Sequence, residues 1–146
     1  QQIVVALRDD RAVRPGQLAV VAAGLVGRVT TVDAARGEAT IDLVTSAGFT
    51  GQAHTAISNV PGSVRGTGAK LLMQDIPAGD KMEVYQGNRV LVQDPAQQDE
   101  QVGAVTIGRA ADTKQAGADT VELTPTADLT NLREVSIMTP FRDSTR

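Results

Sequence analysis

The sequence predicts an all-β protein. Short apolar segments alternate with period two and are rich in β-branched residues, and Gly, Pro, Asn or Asp stands between them. Only one short stretch has helical spacing. The clearest pattern runs from Val13 to Val32. Arg14-Pro15-Gly16 opens it: Pro presets φ near about −65° and Gly tolerates φ > 0, so the chain reverses before Leu18. Gly24 marks the next turn, and Gly27 falls inside the returning strand, where a missing side chain permits a bulge or a close backbone approach.

The strands follow in order. Ile3 to Leu7 comes first, then Leu18 to Ala22 and Leu25 to Val32, which the glycines delimit. Glu38 to Thr45 has the cleanest alternation, with Ile41 and Leu43 on one face and Thr40, Asp42 and Val44 on the other. Ala35-Arg-Gly37 closes the hairpin before it. Thr50 to Ile57, Ser63 to Gly66, Lys70 to Gln74, Lys81 to Tyr85 and Arg89 to Gln93 are β-prone runs, with Gln86-Gly-Asn88 turning between the last two. Asp94 to Gln101 is polar and is expected as an exposed loop, whereas Gln101 to Ala110, Thr120 to Pro125 and Val135 to Thr139 complete the strands. The helical stretch is Thr126 to Leu132, where Thr126 or Asp128 caps one turn and Leu129 and Leu132 share a face. Arg142 to Arg146 is expected to fray.

Composition sets limits. The 146 residues suffice for one ordinary domain or two very small barrels, and Asn59-Val-Pro-Gly62 is the candidate boundary. Apolar residues are 41% of the chain but aromatic ones only 2%, so the core must be built from aliphatic layers. A net charge of −3, with only Lys70, Lys81 and Lys114 as lysines, argues against nucleic acid as a main partner, because phosphate binding needs clustered cations. The absence of cysteine excludes disulfides and thiolate metal sites. No apolar run approaches the ~20 residues of a membrane-spanning helix. The chain opens on Gln1, as expected of an excised or processed piece whose membrane anchor lies outside it.

Candidate chemistry is sparse. His54 is the single histidine, and Ser46, Ser58, Ser63, Ser136 and Ser144 are the serines that a nucleophile triad would have to draw on. None stands in a glycine-flanked elbow. Gly62 to Lys70 resembles a phosphate loop only superficially, since Leu71 stands where Ser or Thr must follow the lysine. Asp94, Asp99 and Glu100 lack calcium-loop spacing. We therefore expect no catalytic, cofactor-binding or metal-ligating residues.

The residues resemble a known family, the extracytoplasmic domain of the bacterial rod shape-determining protein MreC. The similarity begins at Val13-Arg-Pro-Gly16 and Ala19 to Val29, passes through Leu43-Val-Thr45 and Val64-Arg-Gly-Thr-Gly68, and is closest over Leu123 to Val135. Its fingerprint residues are Pro15, Gly16, Gly24, Gly27, Arg28, Gly66, Gly68, Asp128 and Leu132. The chain departs from the pattern at Met82 to Gly87 and in the 94–101 loop. The resemblance implies two small six-stranded β-barrels, loosely chymotrypsin-like, over residues 1–60 and 61–146, with the last strand, 134–140, returning to the first. It also implies a periplasmic or cell-wall-side scaffold without catalytic residues, anchored by an N-terminal transmembrane helix. Such a scaffold self-associates and binds penicillin-binding proteins and other elongation-machinery proteins, coupling peptidoglycan synthesis to cell shape. For self-association, the residues point to a strand edge at Ala39, Ile41, Leu43 and Thr45, because of the alternation there. The rival readings are a two-barrel hydrolase using His54 and, from a faint likeness over Val13 to Val20, a periplasmic adaptor of an export system. His54→Ala separates the first rival from the scaffold: folding, read by circular dichroism, and partner binding are expected to survive, and loss of a hydrolytic activity would favour the rival.

Overall fold

The computed structural model describes residues 2–7, 13–79, 82–93, 104–115, 117–130, 132 and 134–137. The first aliphatic runs form β1 (Gln2–Ala6), β2 (Leu18–Val21), β3 (Gly24–Asp33) and β4 (Glu38–Leu43). There follow β5 (Thr50–Thr55), β6 (Pro61–Gly66), β7 (Leu71–Gln74), β8 (Arg89–Gln93), β9 (Ala104–Ala110), β10 (Val121–Pro125) and β11 (Ser136–Ile137). All described pairings are antiparallel. Strands β10-β7-β6-β5-β8-β9 close into a six-stranded barrel, and β1-β4-β3-β2-β11 form an open five-stranded sheet.

The all-β reading holds, but there is one barrel rather than two. The first part of the chain supplies only four strands to its own sheet, because β5 pairs with β6 and β8 in the barrel. Among the described residues the sheet then ends at β1 and β11 and does not close. Residues 56–60 connect β5 to β6 within the barrel and Pro61 and Gly62 open β6, so sheet membership changes between Leu43 and Thr50. The C-terminal segment returns to this sheet: among the described residues Ser136 pairs with Val20 and Ile137 with Ala19.

Two hydrophobic clusters explain the arrangement. Phe49, Val64, Leu71, Met73, Val90, Val92, Ile107 and Leu123 fill the barrel, and Ala19, Val26, Val29, Ala39, Ile41 and Leu43 line the sheet. The β2–β3 hairpin serves both, since Leu18 and Leu25 belong to the barrel cluster while Ala19 and Val26 belong to the sheet cluster. Strands buried on both faces read as continuous apolar runs, which is how Leu18 to Val21 reads. The chain passes from one cluster to the other in a single step, with Leu43 in the sheet cluster and Val44 in the barrel cluster. Val44 is therefore buried too, where alternation placed it on the wet face.

Two further expectations are corrected. Residues 82–85 form no strand, because a barrel already closed by six strands offers no edge for a seventh. Val84 is nonetheless buried, and its carbonyl accepts from Lys114 N at 2.8 Å, a loop partner rather than a ladder. Thr126 to Leu132 contains no helix among the described residues. The Asp128 carboxylate instead accepts from Thr130 N at 3.1 Å and Thr130 Oγ1 at 2.8 Å, a local turn that competes with helix formation. The expected 94–101 loop, the start of the 101–110 strand, Thr139 and the tail lie outside the described residues.

Close backbone approach holds the two parts together. A Cβ on Gly66 would strike the carbonyl oxygen of Ser46 and lie 2.6 Å from Val44 O, so the link between sheet and barrel lies directly on the end of β6. Gly66→Ala is expected to cost about 1 to 3 kcal/mol, as overpacking against atoms that cannot move aside does. Urea denaturation reads this as a lowered midpoint, and an unchanged midpoint would show that the link yields freely.

Candidate functional site

The fingerprint residues gather mainly along the seam between sheet and barrel. Pro15 and Gly16 form the turn before β2, with Gly16 N donating to Val29 O at 2.8 Å. Gly27 lies where a Cβ would meet the carbonyl of Asp42, beside a register shift between Ala19 and Val20 that makes the expected bulge. Arg28 reaches out of the sheet. Its Nη1 donates to Thr50 O at 2.7 Å, and the guanidinium carbon lies 4.9 Å from the centre of the Phe49 ring. Such a cation on an aromatic face contributes about 0.5 to 1 kcal/mol at an exposed site. Gly66 and Gly68 flank the same link, with Gly68 N donating to Thr45 O at 2.7 Å. Asp128 forms its turn and Leu132 packs on the sheet cluster. These contacts are architectural.

The expected pairing edge is not an edge. Strand β4 lies between β1 and β3, so its backbone groups are engaged on both sides, and Ala39, Ile41, Leu43 and Thr45 are buried. Within the sheet the free edges among the described residues are those of β1 and β11, and Val4 of β1 is 60% exposed.

His54 lies on β5 opposite Pro61 and Leu91, and no hydrogen bond links it to a described serine or carboxylate. No group of three described His, Asp or Glu residues is placed to hold a metal ion.

Sequence reasoning missed a groove at the seam, with a volume of about 570 Å³. The β2–β3 turn, Val20 to Gly24, forms one wall, and β8 and β9 form the other through Arg89, Val105, Thr106 and Arg109. The two walls meet closely, since a Cβ on Gly24 would collide with the Thr126 hydroxyl and lie 2.7 Å from Thr106 O. Thr126 Oγ1 is itself buried without a hydrogen-bond partner. Arg89 and Arg109 are direct cross-strand neighbours on β8 and β9. Both occupy ordinary polar strand positions in the sequence, and only the register brings them together.

The turn beside Arg109 carries the other exposed feature. Gly87 O accepts from Arg109 Nη1 at 3.1 Å, and Tyr85, 53% exposed, donates its hydroxyl to the Glu83 carboxylate. That hydrogen bond, with the carboxylate charge behind it, holds the Tyr85 phenol above its ordinary pKa of 10.0. The protonated form is favoured in the fold, so this contribution is present below the ordinary pKa and is lost as pH rises through the raised one.

A family model described as rod shape-determining protein MreC, barrel core, matches residues 1–139. No curated protein matches the chain. Among solved structures, MreC from Pseudomonas aeruginosa superposes with a TM-score of 0.76 at 19% identity, covering 94% of this chain and 88% of that one. The major periplasmic domain of the cell shape-determining filament MreC gives 0.64 at 16% identity, covering 90% and 83%. MreC from Helicobacter pylori, solved in complex with penicillin-binding protein PBP2, gives 0.65 at 13% identity, covering 97% and 96%.

Tyr85 is the single tyrosine and the chain has no tryptophan, so an alkaline absorbance titration reads this group alone. The midpoint is expected above 10.0 and is expected to fall in Glu83→Gln. An unchanged midpoint in the variant would remove Glu83 as the cause.

Proposed function

The chain belongs to the MreC family of rod shape-determining proteins, and on that premise we propose that it is a scaffold of the cell-elongation machinery outside the cytoplasm. It acts there without catalysis, binding a penicillin-binding transpeptidase and further copies of itself, so that peptidoglycan synthesis follows cell shape. The family match over residues 1–139 carries this reading. The homologue solved with PBP2 supports the partner class, and the homologue described as a periplasmic domain of a filament supports both place and self-association. Attachment to the membrane through a helix N-terminal to this piece is what the family resemblance implies.

For self-association the free edge of β1 takes the place of Ala39 to Thr45. An unpaired strand edge is a template for a second chain, and the exposed Val4 adds apolar area to the contact. Val4→Lys is expected to shift the protein to lower mass in sedimentation velocity while leaving its β-sheet spectrum intact. An unchanged distribution would discard β1 as the contact.

Partner binding is tested with the transpeptidase of the same organism. Co-migration in size-exclusion chromatography is expected, and separate elution at micromolar concentrations of both proteins would overturn the partner assignment.

A further inference from the structure

The Arg89–Arg109 pair is an anomaly in its own sheet. Two like charges directly opposite each other across antiparallel strands destabilise the pairing. Among the described residues no carboxylate forms an ion pair with either. Arg89 Nη1 donates to Thr106 Oγ1 at 3.3 Å and Arg109 Nη1 to Gly87 O at 3.1 Å, so among the described residues both guanidinium groups are held by neutral oxygens, which do not offset their charge. They stand exposed in a groove that Val20, Val21 and Val105 line with aliphatic surface, beside Thr106 and Thr126. The chain as a whole carries a net charge of −3, so the pair is a local concentration of positive charge on an acidic chain.

We infer that this groove binds an extended polypeptide segment of a partner protein that sets an acidic side chain between Arg89 and Arg109 and lays aliphatic neighbours on Val20, Val21 and Val105. The fork of a guanidinium matches a carboxylate with two parallel hydrogen bonds, and such bonds are the strong ones. The aliphatic walls favour a peptide over a bare phosphate, because they reward apolar side chains flanking the charge and offer nothing to an isolated anion. An extended conformation follows from alternation: a strand presents every second side chain to one face, so charged and apolar residues reach different surfaces of one groove. The anion supplied by the partner neutralises a repulsion that the free chain carries.

This inference rests on the scaffold reading in that the occupant is a partner protein, but its test is separable. The probe is an end-blocked, fluorescently labelled pentapeptide, Val-Glu-Val-Glu-Val, with Val-Gln-Val-Gln-Val as its neutral counterpart, each titrated with the whole chain and read by anisotropy. The acidic peptide is expected to bind at least about tenfold more tightly than the neutral one and to lose that advantage in Arg89→Gln and in Arg109→Glu. Thermal melting adds a readout that a purely structural role would not give. Arg109→Glu places opposite charges across β8 and β9, so its melting temperature is expected to be equal to or above that of the wild type while binding is lost. Equal affinity for the two peptides would overturn the inference, as would binding unaffected by either substitution. So would a melting temperature that falls together with binding in both variants. Binding confined to phosphatidylglycerol vesicles, with no retention of the acidic peptide, would identify a lipid site and equally overturn it. Capture of the transpeptidase by a variant that has lost peptide binding would leave the scaffold reading standing and remove the groove from it.

Discussion

The arrangement depends on one hairpin being buried on both of its faces. Strands β2 and β3 send Leu18 and Leu25 into the barrel cluster and Ala19, Val26 and Val29 into the sheet cluster. A fully buried Leu or Val side chain contributes about 1.5 to 3 kcal/mol, so neither cluster is complete without this shared wall. The wall must also be thin. At Gly24 and Gly27 there is no room for even one methyl group beside the neighbouring carbonyls, and larger residues there would push sheet and barrel apart. Few aromatic residues are needed in such a construction. Phe49 alone sits at the crossing, buried beneath the guanidinium of Arg28.

The close-packed seam suits the scaffold role proposed above. Where the β2–β3 turn meets β9 the two walls of the groove approach through backbone, since a Cβ on Gly24 would lie 2.7 Å from Thr106 O. Surfaces organised in this way change little on binding, which reduces the ordering cost of association. The free edge of β1 offers a second, geometrically independent contact formed by main-chain groups. Under the proposed reading, the groove and this strand edge would let two partners bind at once.

Much of the fold was legible because strand alternation and glycine punctuation are local signals. Arg89 to Gln93 matches its strand at both ends, and Glu38 to Leu43 shows the expected alternation of buried and half-buried residues. What was not legible depends on who pairs with whom. The segment around Val84 has β propensity, but the barrel is closed before it can join. The Asp128 side chain, read as a helix cap, instead closes a turn with Thr130, since the same carboxylate serves either purpose. The clean pattern of Ala39 to Thr45 signalled burial on one face and was silent about its two flanking strands. Arg89 and Arg109 lie far apart in the chain, and no periodicity announces that the register sets them side by side.

The pairing of β11 with β2 has a consequence for how the molecule is made. The barrel is an insertion: it is strung between β4 and β11, both of which belong to the other sheet. On a ribosome Val20 and Ala19 emerge early, whereas Ser136 and Ile137, which cover their outer flank, are among the last residues described. Contacts of such long sequence separation form slowly, because the intervening loop must close first. Until then β2 presents a raw apolar border, so the nascent chain has a built-in interval of stickiness that ends only when β11 arrives.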